Sequence, residues 1–140
     1  MPKGNAPFGG GGFRYHAAEG GTEPLPPGMV VEMAEDDDLV RARDQINRGF
    51  VQYARADDLA LGKKEAITGA CGTCHGANYK GIGDVPRLAG QHSLYLIRQL
   101  KDMQIGARKD KNAALMKPVV ANLSDREIVA VAAYLASKSP

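Results

Sequence analysis

Residues 71–76 read Cys-Gly-Thr-Cys-His-Gly, and Cys71 and Cys74 are the only 2 cysteines in the chain. C-x-x-C-H is the attachment signature of a c-type haem. Two intervening residues let one helical turn or tight loop present both thiols along one haem edge as thioethers. His75 follows Cys74 directly, so attachment places its imidazole beneath the iron as the proximal ligand. A chain built this way must fold around a large apolar body. Two other readings of the motif compete with this one. A thioredoxin-like redox pair needs a strand–helix context, and no strand-like run precedes Cys71. A structural zinc site needs further ligands, and the remaining histidines, His16 and His92, lack finger-like spacing.

A length of 140 residues suits one domain, or one small domain with an extension. A bound haem would fill much of the core, which suits the 6% aromatic content and the absence of Trp. The formal charge of +2 does not point to nucleic acid. Its distribution is uneven. Residues 56–140 carry 12 basic and 8 acidic side chains, net +4, and residues 1–55 carry 6 and 8, net −2. A mildly basic rim would steer docking to an acidic redox partner in a salt-dependent way. An ordinary solvated surface explains the count equally well.

No stretch approaches the roughly 20 apolar residues of a membrane span. The first residues also lack the apolar core of a secretory signal. Haem is joined to C-x-x-C-H outside the bacterial cytoplasm, so the expected localisation is periplasmic, with a signal peptide already removed.

Residues 1–28 are rich in Gly and Pro, with the run Gly9–Gly12 and Pro24, Pro26 and Pro27. Residues 1–35 therefore read as a flexible arm. From Asp36 the pattern changes. Asp36, Asp37 and Asp38 favour a helix start, and Leu39, Ile46, Phe50 and Tyr53 fall on one helix face. The expectation is an amphipathic helix over 38–55, closing an N-terminal extension of residues 1–55. The haem domain then spans 56–140. It opens with a helix from Asp57 to Ala70, running into Cys71. A Gly-rich loop follows, with Gly76, Gly81 and Gly83, and closes on Pro86. A further helix runs from about His92 to Gln104, stopped by Gly106. The last helix begins at the Ser124/Glu127 capping box and carries Ile128, Val131 and Leu135. No second haem motif is present.

Taken in order, Cys71–Gly76, Pro86-Arg-Leu-Ala-Gly-Gln91, Tyr95, Gln99, Leu100, Met116, Asn122-Leu-Ser-Asp125 and Val131-Ala-Ala-Tyr-Leu135 resemble the class I c-type cytochromes. The likeness is to small bacterial monohaem carriers and to single domains of dihaem periplasmic cytochromes, and it covers about residues 57–138. It implies an all-α cytochrome c fold around one covalently bound haem c, here preceded by the Gly/Pro-rich arm and the extra helix. It also implies one-electron transfer, not bond-making on a substrate.

The sixth iron ligand separates a carrier from a catalyst, since His/Met ligation raises the reduction potential and leaves no open position. The resemblance implies Met116, which lies 41 residues beyond His75 (116 − 75), in a loop before the last helix that Pro118 would stiffen. Met103 is its rival but reads as core packing on a helix face. Met29 and Met33 precede the haem domain, and His92 or His16 would give bis-His ligation. Pro86 stands where the family's proline carbonyl accepts the proximal imidazole N–H. Tyr95, Gln99 and Arg108 are secondary candidates for contact with the haem or its propionates. Tyr134 reads as part of the helix crossing.

The expected function is therefore that of a non-enzymatic cytochrome, a carrier or a dedicated subunit. It would take electrons from a dehydrogenase and pass them to another cytochrome or a terminal oxidase. The alternative is a haem enzyme or gas sensor with an open or displaceable sixth position, though no acid–base group stands out above the haem.

Overall fold

The computed structural model describes residues 5–9, 17–34 and 50–140. Two antiparallel ribbons precede five helices among these residues. Strand β1 (Asn5–Gly9) pairs with β2 (Ala17–Pro24), and β3 (Val30–Ala34) pairs with β4 (Phe50–Ala54). The helices are α1 (Ala56–Thr68), α2 (Cys71–His75), α3 (Ser93–Ile105), α4 (Lys111–Val120) and α5 (Asp125–Ala136). Residues 56–140 have the expected all-α architecture.

The ribbons correct the reading of residues 1–55. Residues 5–9, 17–24 and 30–34 are paired strands, not a featureless arm. An antiparallel ladder satisfies backbone N–H and C=O groups whatever the side chains, so Gly-rich sequence can enter one. The expected helix over 38–55 is overturned at its end, because Phe50–Ala54 is a strand in register from Val30↔Ala54 to Ala34↔Phe50. Phe-Val-Gln-Tyr is rich in the β-branched and aromatic residues that suit a pleated surface. Residues 38–49 lie outside the described residues.

Residues 56–140 are organised by the crossing of α1 over α5. Gly62 marks the contact: a Cβ built there would stand 2.0 Å from the Ala130 carbonyl oxygen. Only a residue without a side chain lets the two backbones approach so closely. Helix α5 begins as expected, with the Ser124 hydroxyl accepting from Glu127 N–H while the Glu127 carboxylate accepts from Ser124 N–H at 2.7 Å. Ile128, Val131 and Leu135 are buried from it. Helix α3 packs across α5 through Leu96, and Gly106 ends it in the left-handed region (φ 75°).

Gln104, late in α3, donates to the carbonyls of Val120 (2.9 Å) and Leu123 (2.7 Å), which fastens α3 to the α4–α5 connection. Tyr79 and Tyr134 meet edge to face with centroids 6.1 Å apart, so Tyr134 does belong to the packing around the crossing.

The β3–β4 ribbon is seated on this domain by polar contacts. Asp58, 1% exposed in the first turn of α1, accepts from Gly28 N–H (2.8 Å) and from Arg126 Nε (3.0 Å) of α5. Gln52 donates to the Ala133 carbonyl (3.1 Å), and Arg55 reaches the Leu25 carbonyl (3.3 Å). Leu25 and Ala54 are buried beside them.

Candidate haem centre

Helix α1 ends at Gly69, and Ala70 takes a left-handed conformation (φ 54°) that turns the chain sharply into α2. The 5 residues of α2 make a single turn, so Cys71 and Cys74 share one face at i, i+3. Neither is in a disulfide; Cys71 is half-buried and Cys74 exposed. Burial pushes the Cys71 thiol up from its ordinary pKa, and the neighbouring Cys74 adds to the shift.

His75 closes α2 and is buried. Its Nδ1 lies 2.7 Å from the Pro86 carbonyl oxygen. A carbonyl can only accept, so Nδ1 is the donor, and in the neutral imidazole Nε2 is then the nitrogen with the lone pair. That tautomer is the one that ligates a metal through Nε2. The loop brings Pro86 back to His75 by a tight reversal. Gly81 N–H bonds the His75 carbonyl (2.8 Å), and Ile82 and Val85 exchange backbone hydrogen bonds. Gly81 needs to be glycine, with φ 87° and a built Cβ only 2.7 Å from the Val85 oxygen. Gly90 N–H then ties the end of the loop to the Leu135 carbonyl of α5 (3.1 Å).

Met116 lies within α4, half-buried against the cluster of Met103, Ala113 and Val120. The expected loop is thus a helix. Asp110 caps it by accepting from Asn112 N–H (3.0 Å) and Ala113 N–H (3.1 Å). Pro118 sits inside that helix instead of stiffening a loop. Met103 is buried in the cluster, as its place on α3 suggested.

The secondary candidates form a different arrangement. Gln99 accepts from Arg108 (2.9 Å), and Arg108 bonds the capping Asp110 (2.6 Å), so the pair links α3 to the start of α4. Tyr95 is 52% exposed and Met29 46%. His92 lies 3.5 Å from Glu32. His16 falls outside the described residues.

These residues fit a haem. Two cysteines outside any disulfide and a buried imidazole oriented by the Pro86 carbonyl share one helical turn. Cys71 packs against one core cluster and Met116 against the other, and Leu100 packs against both. Among the described residues no group of three or more His, Cys, Asp or Glu side chains gathers as a metal site, so the zinc alternative finds no ligand set there.

The family model for cytochrome c matches residues 59–139. The chain belongs to the cytochrome c family. It carries a single haem c, as its one C-x-x-C-H motif requires. Cytochrome c-554(548) of Halomonas halodenitrificans is 40% identical over 84 residues, spanning 59% of this chain and 99% of that one. The thiosulfate dehydrogenase electron acceptor of Stutzerimonas stutzeri is 47% identical over 68 residues, 47% of this chain and 30% of the relative. Reduced cytochrome c4 of Pseudomonas stutzeri superimposes with a TM-score of 0.55 at 31% identity, covering 62% of this chain and 51% of that one. This cytochrome therefore spans nearly all of one relative and about half or less of the others. Its likeness to these cytochromes makes it an electron-transfer protein.

Sequence reasoning missed the polar residues that seat the ribbon, Glu32, Gln52 and Asp58. Their partners lie 30 to 81 residues away in the chain, and no local pattern marks such pairs.

Proposed function

We propose that this cytochrome is a periplasmic monohaem carrier or cytochrome subunit. It accepts single electrons from a dehydrogenase and delivers them to another cytochrome or a terminal oxidase. Its haem domain is residues 56–140, and residues 1–55 are an N-terminal extension of which Leu25, Gly28, Glu32, Gln52 and Arg55 contact that domain or one another. The observation that carries the site assignment is the 2.7 Å contact between His75 Nδ1 and the Pro86 carbonyl beside two free cysteines. The haem supplies a one-electron iron couple when bound.

The chain's own residues do the rest. Cys71 and Cys74 would anchor the haem through thioethers. His75 would hold the iron through Nε2, and Pro86, accepting from Nδ1, would fix its orientation and raise its basicity. Met116 would hold the iron on its other side through its thioether. Both ligands lie on helices, which limits ligand movement when the charge on the iron changes. A dehydrogenase donor is supported by the relative that is itself named as the electron acceptor of one. Periplasmic placement follows the compartment in which haem is joined to this motif.

An absorption spectrum of matured protein, oxidised and reduced, with CO added to the reduced sample, tests this reading. A low-spin c-type spectrum, a weak far-red Met–Fe(III) band and no CO response are expected. The band should vanish in Met116→Ala and persist in Met103→Ala. A high-spin spectrum or ready CO uptake would favour the enzyme or sensor instead.

A further inference from the structure

Three polar residues are buried among the described residues: Asp58, His75 and Ser93. His75 belongs to the haem site. The other two are partnered by the N-terminal ribbon. Ser93 is the first residue of α3, and its preceding residue, His92, provides no side-chain cap. The missing acceptor comes from 61 residues earlier in the chain. Glu32 Oε1 accepts from Ser93 N–H (2.5 Å) and from the Ser93 hydroxyl (2.6 Å). Its Oε2 lies 3.5 Å from His92 Nδ1. A carboxylate at this end of a helix also meets the positive end of the helix dipole.

Helix α3 is thereby held at two points. Glu32 pins its start, and Gln104 pins its far end to the carbonyls of Val120 and Leu123. Between them, Met103 belongs to the cluster of Met103, Ala113 and Val120 against which both Leu100 and Met116 pack. With the first pin removed, Ser93 would bury an N–H and a hydroxyl without an acceptor, and the first turn of α3 would move to reach water. The rest of α3 would pivot about Gln104 and carry Leu100 with it.

We infer that Glu32 is a positioning residue for the Met116 side of the haem, acting from the ribbon through α3. This inference rests on Met116 being the distal ligand. It gives the extension a part in the redox centre, although cytochrome c-554(548) is matched over 99% of its length by 59% of this chain.

The test uses the matured full-length holoprotein and imidazole as the probe. Imidazole binds the oxidised haem only by displacing the distal ligand. Glu32→Ala is expected to raise imidazole affinity roughly tenfold, the scale of losing a charge-assisted hydrogen bond. Glu32→Gln, whose amide oxygen still accepts from Ser93, should raise it less, and it serves alone if Glu32→Ala fails to mature. Gln52→Ala loosens the same ribbon at the Ala133 carbonyl and should leave imidazole affinity unchanged.

Wild-type affinity in both Glu32 variants, even with a lowered melting temperature, would overturn the inference and leave Glu32 a structural clasp. An equal rise in Gln52→Ala would also overturn it, by assigning the effect to the ribbon as a whole. A wild-type protein without the far-red band would overturn the Met116 assignment first, and this inference with it.

Discussion

His75 Nδ1 and the Pro86 carbonyl oxygen stand 2.7 Å apart, joined across an 11-residue separation by a loop that reverses at Gly81. The hydrogen bond makes the imidazole a stronger donor, which favours the oxidised iron. Pro86→Ala keeps the carbonyl but frees the backbone torsion that aims it. The midpoint potential should rise by up to about 60 mV, a tenfold change in the equilibrium of a one-electron couple. Redox titration of the two proteins decides the matter. An unchanged potential would mean that the His75–Gly81 bond alone holds the loop.

Gly62 and Ala130 set the closest approach of α1 to α5. In open solvent, Gly to Ala in a helix gains about 1 kcal/mol of helix propensity. Here the added carbon would lie 2.0 Å from the Ala130 oxygen and 2.4 Å from its carbonyl carbon. Backbone atoms cannot rotate aside as a side chain can. Gly62→Ala should therefore destabilise the holoprotein by about 3 kcal/mol or more. Denaturant unfolding followed at the haem absorption would measure it, and a neutral or stabilising result would refute this account of the crossing.

Asp58 joins the ribbon to both α1 and α5. Asp58→Ala leaves the Gly28 N–H and the Arg126 guanidinium without their acceptor. Losing a partner in a fully buried ion pair costs several kcal/mol. The Arg126 side chain is 49% exposed, so water takes over much of its solvation. A loss of about 2 kcal/mol is expected, dominated by the stranded backbone donor. Hydrogen exchange at Val30 and Val31 should accelerate along with it. Unchanged exchange there would show that the ribbon is held elsewhere.

The helices of residues 56–140 were legible because their signals are local. The Ser124/Glu127 capping box, the Gly106 stop and the spacing of Leu96, Leu100 and Met103 each lie within one element. The strand at Phe50–Ala54 was hidden because Phe50 and Tyr53 fit a helical spacing when read without their partner strand. The helix around Met116 was missed although Asp110 stands as its cap, because Pro118 reads as a loop residue. The need for glycine at 62 depends on what α5 brings to it. The numbering of the haem site rests on the ordered motifs. The His75–Pro86 distance is a fact of the folded loop, which no spacing specifies.

Two exposed carboxylates give the acid side of stability a defined origin. Asp110 is held below the ordinary carboxylate range chiefly by its hydrogen bond with Arg108, then by the N–H groups of Ala113 and Asn112. Glu127 is held below it by the backbone N–H and then the hydroxyl of Ser124. Each group binds its proton more weakly in the folded chain than in the unfolded one. Their contribution is therefore complete above the unfolded carboxylate pKa, near pH 4, and is lost as pH falls through the depressed folded values. Acid losses common to every variant cancel in a comparison with wild type, so the informative quantity is the difference between melting curves. Asp110→Asn and Glu127→Gln should each melt slightly below wild type at pH 7, with the gap closing toward about pH 2. A gap that stays constant across that range would show that neither carboxylate's charge contributes to capping its helix.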